Sequence, residues 1–251
     1  MNFAKVAKKI VKQCRVDNPR HFKLDDHDPA ETFGLSTSIG DVEAILAQGI
    51  ARIIDLQQRL YAHGQWAVLL VFQGMDAAGK DGVVKHVMSG INPQGCEVHA
   101  FKAPSSEELE HDFLWRTGRD VPARGRIGIF NRSHYEEVLV VRVHPEMLER
   151  QNLPPAATGK DIWKHRFKEI RAFERHLTRN GTLVLKFHLR ISKDEQRKRN
   201  FNTSVPLRAK CCSNARISLK RCFQIFLSVA QGGRFCRASS SGCTRTTSTS
   251  S

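Results

Sequence analysis

The stretch 66-WAVLLVFQGMDAAGKDGVVKHV-87 decides the fold. Its first seven residues, Trp66 to Phe72, form an unbroken apolar run of strand length. A strand apolar on both faces belongs to a buried parallel sheet rather than to a half-solvated antiparallel one. Directly after it, Gly74-Met75-Asp76-Ala77-Ala78-Gly79-Lys80 satisfies G-x-x-x-x-G-K, and residues 79–89 read as a helix. Strand, glycine-rich turn and helix start are the context this motif needs. The glycines let backbone N–H groups point inward at phosphate oxygens, the helix N-terminus adds positive potential, and Lys80 supplies a cation. Gly74, Ala77, Ala78, Gly79, Lys80 and Asp81 are therefore candidates for binding phosphate. Two residues depart from the common pattern: Asp81 replaces the usual Ser or Thr, and Asp76 lies inside the loop. Asp76 could help hold Mg²⁺ or orient an attacking phosphate oxygen; either acid could equally cap the helix.

The same grammar extends outward. Asp41 to Ala62 reads as a long helix with Val42, Ile45, Leu46, Ile50, Ile53, Ile54, Leu56 and Leu60 on its apolar stripe, closed by Gly64. Cys96 to Phe101 is expected to be a second strand. Ser105 to Arg119 is expected to be one helix, opened by a Ser105/Glu108 capping box. Arg126 to Phe130 and Thr182 to Leu189 supply two more strands, and Val138 to Val143 begins a further element. Asp161 to Arg179 is a helix ended by Asn180-Gly181, and Ser192 to Arg199 opens another. Strands separated by helices predict an α/β fold with a doubly wound, mainly parallel sheet. Residues 1–20 read as a basic helical extension, with a solvated packing arm, a transit peptide and a membrane-surface helix as alternative roles.

Charge is unevenly spread along the 251 residues, whose 40 Lys and Arg against 25 Asp and Glu give +15. Residues 200–251 hold eight of the basic residues, none of the acids and five of the seven cysteines. Positive charge of this size points to an anionic partner such as nucleic acid, polyphosphate or an acidic membrane. No run reaches the roughly 18–20 apolar residues a membrane span needs, and no signal-peptide core is visible, so a cytoplasmic location is expected. The domain reading is an arm and long helix over 1–64, an incomplete P-loop core over 65–199, and an aberrant basic Cys/Ser-rich tail over 200–251.

The segments GMDAAGKDGVVKHV, INPQGCEVHAFKAPSSEELEHDFLWR, GRIGIFNRSHYEEVLVVRVHPE and WKHRFKEIRAFERHLTRNGTLVLKFHLRISKDEQRKR together resemble the polyphosphate kinase 2 family over about residues 30–199. The resemblance implies a P-loop kinase architecture. It also implies Mg²⁺-dependent movement of a phosphoryl group between inorganic polyphosphate and ADP, GDP or AMP, often by a homo-oligomer. Asp76, Lys80 and Arg132 match the catalytic positions. Asp76, Asn131, Glu136 and Glu137 are the metal candidates. Asn131 stands where many relatives have an acid, and either glutamate could instead belong to a solvated helix face. Polyphosphate needs basic residues beyond those a nucleotide requires. Lys85, Arg116 and Arg166 are taken as phosphate-binding, with Arg119, Arg124, Arg126 and Lys168 as further channel residues. On helix pattern alone, Arg166 and Lys168 are expected to face solvent. His86, His111 and His134 lack metal-ligand spacing and read as structural.

The resemblance stops near Asn200, where relatives continue into a basic lid; a change of reading frame accounts for the loss of acids. The tail's cysteines form neither a C-x-x-C zinc pattern nor a disulfide framework, and nucleic acid is not an expected partner. Alternative functions are an ATP-dependent nucleotide kinase of another P-loop family and an inactive phosphate- or polyanion-binding remnant.

Overall fold

The computed structural model describes residues 3–16, 22–32 and 39–201. The helices and strands follow in chain order as α1 (Phe3–Cys14), α2 (Ile39–His63), β1 (Ala67–Gly74), α3 (Lys80–Val87), β2 (Cys96–Ala100), α4 (Ser106–Leu109), α5 (Trp115–Arg119), β3 (Ile127–Asn131), α6 (Glu136–Val143), α7 (Pro145–Glu149), α8 (Ile162–Arg179), β4 (Thr182–Leu189) and α9 (Lys193–Phe201). The aberrant tail expected from 200 onward falls outside the described residues after Phe201. No described helix is long and apolar enough to cross a membrane.

The four strands form one sheet in the order β2-β3-β1-β4, parallel throughout. Alternate residues of β1 serve opposite faces, as the two-residue period of a strand dictates. Leu69 and Val71 join Phe130, Tyr135, Val138, Phe167, Ile170 and Leu177 on the face covered by α6 and α8. Phe72 joins Ile127 and Ile129 on the other face, with Leu60, Val68, Leu70, Val83, Val84 and Met88 of α2, β1 and α3 and its following residue packed against them. The chain leaves β1 through α3 toward β2 on one flank, and leaves β3 through α6 and α8 toward β4 on the other. This reversal opens a crevice between the C-terminal ends of β1 and β3, where doubly wound sheets bind ligands.

Strand β4 matches its expected limits, and Gly181, which follows α8, takes φ +91°. The single helix expected over Ser105–Arg119 is instead two short ones. The Ser105/Glu108 capping box forms, with its two hydrogen bonds at 3.2 and 2.8 Å. In the intervening stretch 110–114, the Asp112 carboxylate accepts the Leu114 N–H at 2.9 Å while its carbonyl accepts from Trp115 at 3.0 Å. Such local side-chain bonding offers the backbone an alternative to continuing the helix.

Candidate phosphate site

Gly74 ends β1 where no side chain fits: a Cβ there would lie 2.6 Å from the Leu189 carbonyl oxygen of the neighbouring strand. Beyond it the loop turns tightly, with the Ala78 N–H donating to Met75 O at 3.1 Å. Ala77 and Gly79 adopt left-handed φ of 63° and 92°. The turn aims the first N–H groups of α3, which have no partner within a helix, into the crevice. Lys80 is folded inward and buried, its Nζ donating to Gly74 O at 2.8 Å and Met75 O at 3.1 Å. Burial and the nearby Arg132 lower its pKa, against the pull of Asp76, Glu136 and Asp81.

Strand β3 delivers the opposing wall. Asn131 closes the strand beside Phe72, and Arg132 turns out of it at φ +67°, its N–H donating to Phe72 O at 3.1 Å. The Arg132 guanidinium reaches Asp76 Oδ1 at 3.0 Å and stands 3.6 Å from Glu136 Oε2. Asn131 Nδ2 donates to Asp81 Oδ1. Glu136 is held from beneath by Gln73, whose amide satisfies both ends by donating to Glu136 Oε1 at 3.0 Å and accepting the Ser133 N–H at 3.1 Å. Burial pushes the Glu136 carboxyl up, offset by Arg132 and Lys80. Asp76, Lys80, Asp81, Asn131 and Arg132 line a cleft of about 840 Å³ whose walls also include Phe101, Lys102 and Arg199.

Neither loop acid occupies the position preceding α3, while Asp81 lies in the helix's first turn. The residue preceding α3 is Gly79, with no side-chain cap, and Asp81 is engaged by Asn131. Asp76 projects with 81% of its side chain exposed.

The geometry does not bring all the expected residues together. Glu137 is buried on the far side of α6 and accepts from Gln151 Nε2 at 2.7 Å. Arg166 stands 3.3 Å and Arg116 3.5 Å from its carboxylate. These three therefore form an internal ion cluster away from the loop. Arg166 is a correction to the solvent-facing expectation, because a long-range carboxylate lets a charged side chain enter the core; Lys168 is exposed as expected. Lys85 is exposed on α3 outside the cleft, Arg119 pairs with Asp120 at 3.2 Å, and Arg126 pairs with Glu97. His134 is buried in the core.

Sequence reasoning missed Gln73, Lys102, Gln196 and Arg199. Gln196 Nε2 donates to Asp76 O at 3.0 Å and Arg199 Nη1 to Ala77 O at 3.1 Å, so α9 rests on the loop backbone. Gln73 and Lys102 lie at or just beyond the C-terminal ends of parallel strands, and that position alone marks them.

Among the described residues no group of three or more His, Cys, Asp or Glu is arranged to enclose a metal ion. The oxygen donors Asp76, Asp81 and Glu136 nonetheless fit a hard divalent cation of the kind bound by one or two carboxylates plus substrate phosphates.

Comparison with known proteins bears on this site. Residues 37–215 match the family described as polyphosphate kinase 2. An ADP-polyphosphate phosphotransferase of Rhodopseudomonas palustris is 61% identical over 156 residues, covering 62% of this chain and 54% of that protein. An AMP/ADP-polyphosphate phosphotransferase of Meiothermus ruber is 45% identical over 189 residues, covering 75% and 67%. The crystal structure of polyphosphate kinase 2 from Arthrobacter aurescens superposes with a TM-score of 0.65 at 36% identity, covering 85% of this chain and 76% of that one. The chain thus spans about half the length of the Rhodopseudomonas relative.

Proposed function

The chain belongs to the polyphosphate kinase 2 family, and from that premise we propose that it transfers a phosphoryl group between inorganic polyphosphate and a nucleoside mono- or diphosphate. The observation that carries the reading is the convergence of Lys80, at the start of α3, and Arg132, just beyond β3, on one backbone cradle flanked by Asp76, Asp81 and Glu136. The names of the two relatives above mention ADP and AMP, which makes these the acceptors of choice; neither name mentions GDP.

In the forward direction an oxygen of the acceptor's terminal phosphate forms a new P–O bond to the end phosphorus of polyphosphate. The bridging P–O bond breaks, and a chain one unit shorter leaves. The attacking oxygen is already largely ionised at neutral pH, so no general base is required; charge dispersal and in-line placement do the work. Lys80 has three N–H donors, two of them engaged by loop carbonyls, and the third serves a phosphate oxygen. Arg132 presents a planar fork suited to the transferred group. Its contact with Asp76 keeps that fork at the mouth of the loop. Asp76 and Asp81 would hold Mg²⁺, with Asn131 and Glu136 beside them; bound there, the cation neutralises phosphate charge. The channel role expected of Arg116 and Arg166 passes in this reading to Lys102 and Arg199, which line the cleft. A homo-oligomer in the cytoplasm remains part of the proposal, on the family resemblance.

The test is nucleotide formation from polyphosphate and ADP or AMP with Mg²⁺, for the wild type and Lys80→Met. Loss of an electrostatic donor aimed at the transferred group should lower kcat/KM by about 10²–10³-fold, with the melting temperature preserved. Transfer from ATP to AMP with no use of polyphosphate would assign the chain to another kinase class. Salt-sensitive polyphosphate binding without transfer, unchanged in Lys80→Met, would make it a binding remnant.

A further inference from the structure

Behind Arg132, on the core side of the sheet, lies a buried polar cluster that phosphoryl transfer does not use directly. Glu174 of α8 is fully buried, as are His134 and Tyr135 of the segment joining β3 to α6. Tyr135 Oη donates to Glu174 Oε1 at 2.7 Å, and His134 Nε2 lies 3.4 Å from the same oxygen. Lys186 of β4 donates to Glu174 Oε2 at 2.7 Å and reaches Tyr135 Oη at 3.3 Å. Burial alone would raise the Glu174 carboxyl, but Lys186 and His134 outweigh it and hold it below the usual range, so it is ionised. Well-packed apolar residues commonly serve stability as well as or better than a buried ion cluster. Its position suggests a geometric task instead.

That task is at Arg132. A non-glycine residue at φ +67° sits in a sparsely populated region and persists only where its surroundings over-determine it. Upstream, the Arg132 N–H is fixed to Phe72 O. Downstream, Ser133 Oγ accepts the Tyr135 N–H at 3.2 Å, and Tyr135 is tied through its hydroxyl to two other elements. We propose that Glu174 is a positioning residue. Acting through Tyr135 and His134, it locks the β3–α6 corner so that the Arg132 guanidinium and Glu136 carboxylate stand against the phosphate loop. This rests on reading that loop as the phosphoryl-transfer site.

The test is a double-mutant cycle between Tyr135→Phe, which deletes one hydroxyl and keeps the ring, and Arg132→Ala, read in three ways. In turnover, Tyr135→Phe should lower kcat about tenfold or more, because small misplacements of a transfer site are costly, with KM for the nucleotide unchanged. In the Arg132→Ala background the same substitution should change kcat less than about twofold, since coupled residues are not additive. In hydrogen exchange, the Arg132 amide should exchange faster in Tyr135→Phe while the Leu69 and Val71 amides keep their protection. In calorimetry, polyphosphate affinity should fall with Tyr135→Phe only while Arg132 is present. Glu174→Gln, which keeps the shape and removes the charge, should reproduce the pattern and serves as the second variant if Tyr135→Phe does not fold. An equal kcat loss in both Arg132 backgrounds, or an unchanged Arg132 amide, would overturn the proposal and leave the transfer reading intact. If the wild type turns over no polyphosphate, the transfer reading fails, and the exchange measurement still decides the positioning role.

Discussion

Gly74→Ala is the substitution whose outcome follows most directly from the geometry of the loop. The added Cβ would lie 2.6 Å from Leu189 O, 3.1 Å from the Ala78 Cβ and 3.3 Å from the Leu189 Cβ. The nearest obstacle is a backbone carbonyl on the strand that pairs Gly74 with Leu189, so no rotamer change can relieve it. Reaching an ordinary contact of 3.4 Å requires the loop and the end of β4 to separate by about 0.8 Å. Overpacking of this kind costs about 1–3 kcal/mol. For a domain of this size each kcal/mol lowers the melting temperature by about 2–4 °C, so calorimetry should show a drop of roughly 2–12 °C. The displacement also falls on the phosphate cradle, so polyphosphate turnover should decline beyond what stability explains, by up to about 10²-fold. Gly82→Ala, in the first turn of α3, is the control for stability: an added Cβ there meets nothing within 4 Å, and alanine is favoured over glycine in a helix by up to about 1 kcal/mol. A Gly74→Ala protein that melts within a degree of wild type and retains its turnover would refute this account of the loop.

Further outcomes are expected elsewhere. Glu137→Ala should cost about 3–5 kcal/mol in chemical denaturation, because it leaves Arg116 and Arg166 buried without their carboxylate; a cost under about 1 kcal/mol would show that water already serves them. His188, largely buried and close to Arg190 and Lys80, has its pKa lowered to about 4. The unfolded chain takes up that proton below about pH 6.5 and the folded chain only near pH 4. Stability should therefore fall across that window by up to about 3 kcal/mol. Urea midpoints at pH 7, 5.5 and 4.5 should show a shallower decline for His188→Asn; a pH-independent gap between the two proteins would count against this.

What was legible from sequence follows from where the information lies. The unbroken apolar run at 66–72 and the glycines that follow it are local signals, and they located β1, the loop and α3. Strand β4 was equally legible, because its apolar stretch is bounded by Asn180-Gly181. The split between α4 and α5 was not, since it depends on the Asp112 carboxylate competing with the helix over two residues. Arg166 looked like solvent-facing charge because periodicity treats every arginine alike, whereas its burial is decided by Glu137, brought to it only by folding. The same holds for the site. Asp76, Lys80 and Arg132 are marked by motif and by strand ends, but Arg199 reaches the loop only because α9 folds back over it.

The left-handed backbone at Arg132 and Ala77 sets two kinds of selection against each other. Glycine relieves such strain at little cost, so a library sorted for heat resistance would enrich Arg132→Gly. A library sorted for turnover would reject that change, since it removes the guanidinium. At Ala77, which contributes no charged group, both screens should accept glycine. The two positions share one conformation, yet only one of them forces stability and chemistry to choose different residues.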